Sequence, residues 1–109
     1  MKRFLIACGG LSPSEEKEFH IYLSKAGSWW HWIPNVWLFA SEDEGVTSTS
    51  LRVYLSKFNR ENLMVMEIMK SGGIAWRGSR SPEGATMGDW LDSTWRTGDA
   101  VPADDDIPF

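Results

Sequence analysis

Residues 28–41 read SWWHWIPNVWLFAS. Two aromatic, apolar runs flank Pro34-Asn35, a pair that favours a turn. Trp, Phe, Ile and Val suit a pleated, half-buried surface. The stretch is therefore expected to form two strands, 28–33 and 35–41, joined tightly around Pro34-Asn35. In strict alternation Trp29, His31 and Ile33 face one way and Trp30 and Trp32 the other. One set belongs to a core, the other to an open face or a subunit interface.

Upstream, RFLIAC (3–8) is short and apolar enough for a central strand. It ends at Cys8-Gly9-Gly10, read as a βα turn because it lacks the glycine spacing and lysine of a phosphate loop. SPSEEKEFHIYLSKAG (12–27) carries helix signals throughout. Ser12 caps, Pro13 takes the first helical position, and Glu15 completes a capping box. Phe19, Leu23 and Ala26 share a face, and Gly27 is expected to stop the helix. Downstream, EDEGVTSTS (42–50) reads as a polar connector. Leu51, Tyr54, Leu55 and Phe58 then fall at i, i+3, i+4, i+7 of a second helix, with Asn59 as its C-cap. NLMVMEIM (62–69) is a fourth strand, SGG a turn and IAWRG (74–78) a short fifth strand. The order β-α-β-β-α-β predicts an α+β ferredoxin-like sandwich, with two helices on one face of an antiparallel sheet. TMGDWLDSTWR (86–96) predicts a short helix capped by Thr86, with Met87, Trp90, Leu91 and Trp95 on one face. The expected division is a ferredoxin-like domain at 1–82, a short helix at 83–97 and an acidic tail at 98–109.

The chain has 109 residues, one cysteine, seven tryptophans and a net charge of −4. That length bounds it to one domain with appendages. A single cysteine excludes an internal disulfide framework and suits a reducing cytoplasm. No apolar run reaches the roughly 18 residues of a membrane span. The opening MKRFLIACGG has an apolar run too short for a signal core of about 7 residues. The charge is split: residues 1–82 carry about +2 and residues 83–109 about −6. A near-neutral body with an acidic end is the asymmetry of an interaction tail.

The body resembles the small CRISPR-associated adaptation protein family and its stand-alone relatives. The resemblance rests on RFLIAC, WWHWIPNVWLFAS, TSLRVYLSKF and LMVMEI…GGIAWRG, and spans roughly residues 3–78. It implies a symmetric homodimer. Members described as metal-dependent nucleases place an aspartate at the end of the first strand. Here that position reads Cys8-Gly9-Gly10, with no carboxylate before Glu15. A hard cation would lack its oxygen ligand there, so no metal, cofactor or catalytic residue is expected.

The terminal stretch DDDIPF is similar to the acidic tip of bacterial single-stranded DNA-binding protein. The resemblance implies docking onto an exonuclease, helicase or recombination mediator of the bacterial host, with the tail as a mimic such as a phage or mobile element encodes. In this reading the Phe109 ring fills an apolar pocket and its carboxylate meets a cation at the rim. Pro108 lowers the ordering cost, and Ile107 adds an apolar contact. Asp104, Asp105 and Asp106 lie along a basic ridge. The usual tail follows an OB-fold and a long linker, and neither is found in this sequence. The plainer reading of a solvated acidic tail leaves the terminal phenylalanine unexplained.

A second function class is open: a non-OB single-stranded DNA-binding protein. There Trp30 and Trp32 would stack bases, and Arg52, Lys57, Arg77 and Arg80 would contact phosphates. Core or interface tryptophans and scattered surface charge are the bland alternative. A metal-dependent nuclease of the adaptation type is the third class, set against the missing aspartate. His31 and Cys8 lack the further ligands of a zinc cluster, and Cys8 reads as a buried small apolar residue.

Overall fold

The computed structural model describes residues 1–58, 62–69 and 87–95. The chain divides into two compact units, Met1–Met69 and Lys70–Phe109. The boundary expected at 82 lies outside the described residues, as do Asn59, the strand expected at 74–78, Thr86 and the tail.

The first unit runs β1 (Lys2–Cys8), α1 (Pro13–Ser24), β2 (Gly27–Ile33), β3 (Val36–Ser41), α2 (Ser48–Ser56) and β4 (Leu63–Glu67). Its four strands form one antiparallel sheet in the order β2-β3-β1-β4. A mixed α/β domain was expected, and the described chain has that composition: four antiparallel strands and three helices.

Residues directly opposite in antiparallel strands share a face. Phe4 pairs with Phe39 and Phe39 with Trp29; Ile6 pairs with Trp37 and with Val65. These side chains make the first face, and both helices cover it. Phe19 and Leu23 of α1 and Leu51 and Leu55 of α2 are buried in one cluster with Phe4, Ile6, Cys8, Trp37 and Phe39. Burying each large side chain contributes roughly 1.5–3 kcal/mol. The second face carries Arg3, Leu5 and Ala7 of β1 with Val36, Leu38 and Ala40 of β3.

Local chemistry sets the helix ends. The α1 capping box is complete: Glu15 N donates to Ser12 Oγ (3.2 Å), and Ser12 N donates to Glu15 Oε1 (2.8 Å). Gly27 does not stop the helix, as the sequence led us to expect. The helix ends at Ser24, and the Lys25 and Ala26 amides close it by donating to Tyr22 and Leu23. Gly27 instead opens β2, where an added Cβ would lie 2.0 Å from the Ala40 carbonyl oxygen. The connector before α2 is also shorter than expected. Thr47 and Ser50 form a second capping box, with reciprocal bonds of 2.9 and 2.8 Å. A serine hydroxyl serves here where the usual pattern has Glu or Gln.

The 28–41 hairpin folds as expected in outline and departs in one detail. Trp30 pairs with Leu38 and Ile33 with Val36. Three steps along β2 therefore match two along β3, so β2 carries a one-residue bulge at residues 31–32. Strict alternation fails there. His31 stays on the first face, its ring stacked on Trp37 at 4.1 Å. Ile33 moves to the second face beside Val36. The turn has Pro34 followed by Asn35 at φ 66°, the sign pattern of a type II turn.

In the second unit, α3 (Met87–Trp90) continues into a π-helical turn over Leu91–Trp95. A π turn aligns residues five apart, and the Trp90 and Trp95 rings lie 5.8 Å apart. Leu91 and Trp95 are buried.

Candidate functional site

The tail residues Asp104, Asp105, Asp106, Ile107, Pro108 and Phe109 lie outside the described residues, as do Arg77 and Arg80. The remaining nucleic-acid candidates are placed and do not converge. Trp30 belongs to the second face and is only 4% exposed. Trp32 sits in the bulge and is half-buried. Arg52 is exposed on α2, whose apolar side covers the first face. Lys57, at the C-terminus of α2, bonds Glu18 of α1 and lies over the Tyr54 and Phe58 rings at 4.8 and 5.3 Å. Its pKa is raised, first by the hydrogen bond to Glu18. Beside it, Tyr22 of α1 and Tyr54 of α2 stack at 3.6 Å. This lysine joins the two helices, on the far side of the sheet from Trp30.

Cys8 ends β1 and is buried. A hollow of about 400 Å³ opens beside it, lined by Asn35, Asn62, Leu63 and Met64 among others. Among the described residues, no carboxylate lines it. Among the described residues, no three His, Cys, Asp or Glu side chains gather as metal ligands. No helix among them is long and apolar enough to cross a membrane.

Among the described residues lies a polar cluster that the sequence did not reveal. Both histidines of the chain meet between α1 and the β2–β3 hairpin. His20 stacks on Trp29 at 4.0 Å, and the His20 and His31 ring centres are 5.5 Å apart. Trp37 Nε1 donates to His20 Nε2 at 2.8 Å. An indole N–H only donates, so His20 Nε2 is the acceptor and the neutral ring carries its proton on Nδ1. His31 Nδ1 lies 2.8 Å from the Val36 carbonyl, which only accepts, so that nitrogen bears a proton. His31 Nε2 faces Glu16 Oε2 at 3.7 Å. Trp29 Nε1 donates to Ser24 Oγ at 2.9 Å, closing the cluster back onto α1. Burial, then the neighbouring His31, lower the His20 pKa, while Glu16 raises it. His20 directly follows the buried Phe19 on α1. That neighbourhood was the available signal, but the pairing with His31 depends on how helix and hairpin dock.

Comparison with protein-family models, curated proteins and solved structures gave no match.

Proposed function

We propose that this chain is a non-enzymatic interaction protein of DNA metabolism. Its DDDIPF segment docks onto bacterial proteins that bind the tip of single-stranded DNA-binding protein, recruiting them or competing for them. The sequence of residues 104–109 carries this reading. The charge split supports it: the acidic residues concentrate in the segment that would meet a basic ridge. We further assign the body to the ferredoxin-like class, acting as a homodimeric, cytoplasmic scaffold. The sheet order β2-β3-β1-β4, with both helices on one face, supports that assignment. So short a contact is worth roughly micromolar affinity alone, and a dimer presenting two tails gains by avidity.

The test is a pull-down from bacterial lysate, read by mass spectrometry, with three baits. These are the full chain, a variant lacking Phe109, and a variant with one glycine added after Phe109. Tip-binding exonuclease, helicase or mediator proteins should be captured by the full chain alone and released by free DDDIPF peptide. Equal capture by all three baits, or none by any, removes the tail reading.

A further inference from the structure

We propose that His20 is a proton-operated latch between α1 and the sheet: taking a proton at Nε2, it loses its bond from Trp37 and loosens the seat of α1. This inference is independent of the tail.

The geometry allows His20 one protonation state at a time. Trp37 Nε1–H points at His20 Nε2 over 2.8 Å. A protonated Nε2 would set two donors against each other, and no water-free rearrangement turns an indole into an acceptor. The imidazole is held in place by its stack on Trp29, which is itself tied to Ser24 one turn further along α1. Turning the ring over offers no escape, because the charged imidazole bears a proton on both nitrogens and neither can accept the indole N–H. A proton on Nε2 therefore competes directly with the helix-to-sheet bond.

The charges around the ring set when the latch opens. From its own helix, Glu16 favours the charged ring. From β2, His31 disfavours it by charge repulsion, with the two ring centres 5.5 Å apart. From β3, the facing group is Trp37, which carries no charge. From α2, Tyr54 stacks on Phe19 at 6.0 Å. Among the described residues, Glu16 and His31 are thus the charged or titratable neighbours that act on His20. The sign follows from linkage. The folded state holds His20 neutral below its ordinary value of about 6.5, and the unfolded chain takes the proton first. The stability His20 contributes is complete above that ordinary value and is lost as pH falls toward and through the lowered folded value.

The experiment is a pH titration of the full chain by NMR. It follows the Trp37 indole N–H, assigned with Trp37→Phe, and the His20 ring nitrogens. The Trp37 signal should hold its bonded position at the pH where a free histidine is half protonated. It should then move together with His20 Nε2 at lower pH. His20→Gln keeps an acceptor for Trp37 and cannot titrate, so its indole signal should stay fixed and its urea midpoint should lose most of the acid-side slope. His31→Gln should raise the pH of the Trp37 transition, and Glu16→Gln should lower it. Opposite shifts from two neighbours are not expected of groups that merely fill space. The latch is refuted if the wild type and His20→Gln show the same acid-side slope, or if the Trp37 signal moves independently of His20.

Discussion

Gly27 and Asn35 show how little latitude single positions have in this hairpin. A Cβ at residue 27 would sit 2.0 Å from the backbone oxygen of Ala40, and backbone cannot step aside as a side chain would. Gly27→Ala should cost about 3 kcal/mol, at the upper end of overpacking penalties, measured as a lower urea midpoint with unchanged slope. Asn35 holds φ 66°, a conformation that Asn tolerates and glycine adopts freely. Asn35→Gly should therefore fold at least as well as the parent, and Asn35→Ala should be less stable than Asn35→Gly by about 1 kcal/mol. Thermal melts of the two variants side by side decide it. Asn35 was legible as a turn residue because the dipeptide Pro-Asn states its preference locally. Gly27 was misread as a helix stop because its constraint comes from Ala40, thirteen residues away, and no local pattern reports it.

The helices divide in the same way. The box at Ser12 and Glu15 was readable because serine followed three residues later by glutamate is the usual pattern, and the structure realises both bonds. The box at Thr47 and Ser50 uses a hydroxyl in the reaching position, so the start of α2 was taken for connector. Removing either cap should reveal its weight. Ser12→Ala should destabilise the body by about 1 kcal/mol, whereas Ser12→Gly should cost only a few tenths. No loss in either variant would mean that the side-chain bond contributes nothing. The apolar spacing of α2 was fully legible, and Leu51 and Leu55 are buried as that spacing requires. Leu55→Ala should remove about 2–5 kcal/mol, enough to unfold a small domain near its stability limit. Loss of the native circular-dichroism signal at room temperature would report it. The His20–His31 cluster escaped the sequence because it joins two elements whose relative docking no periodicity encodes.

At the scale of the whole molecule, the two faces of the sheet differ. The first is sealed by α1 and α2. The second carries a row across all four strands, Ile33–Val36–Ala7–Met64, in which Ile33 and Met64 are 44% and 50% exposed. The four strands of the first unit, their order along the chain with α1 and α2, and the buried faces of those two helices were legible, because each follows from local periodicity. Alternation also put Trp29 and Trp30 on opposite faces, but did not say which of them lies under the helices: Trp29 packs on the first face and Trp30 is buried on the second. Charge separation along the chain bears on the proposed partner contact. Three consecutive aspartates against a basic ridge should make capture by the tail fall steeply with added salt, whereas the apolar Ile107 and Phe109 contacts should not. Repeating the pull-down at rising salt should release the partner well before the body unfolds. Salt-independent capture would place the binding elsewhere.

The bulge in β2 gives this chain a spare residue. Everything on either side of it is already in register, so deleting Trp32 would let His31 pair with Trp37 and Ile33 keep Val36. No other side chain would change face. Deleting Leu38 from β3, by contrast, would transfer the rest of that strand to the wrong side. The hairpin can therefore shorten at one place only, and related sequences should differ in length there before they differ anywhere else between residues 28 and 41.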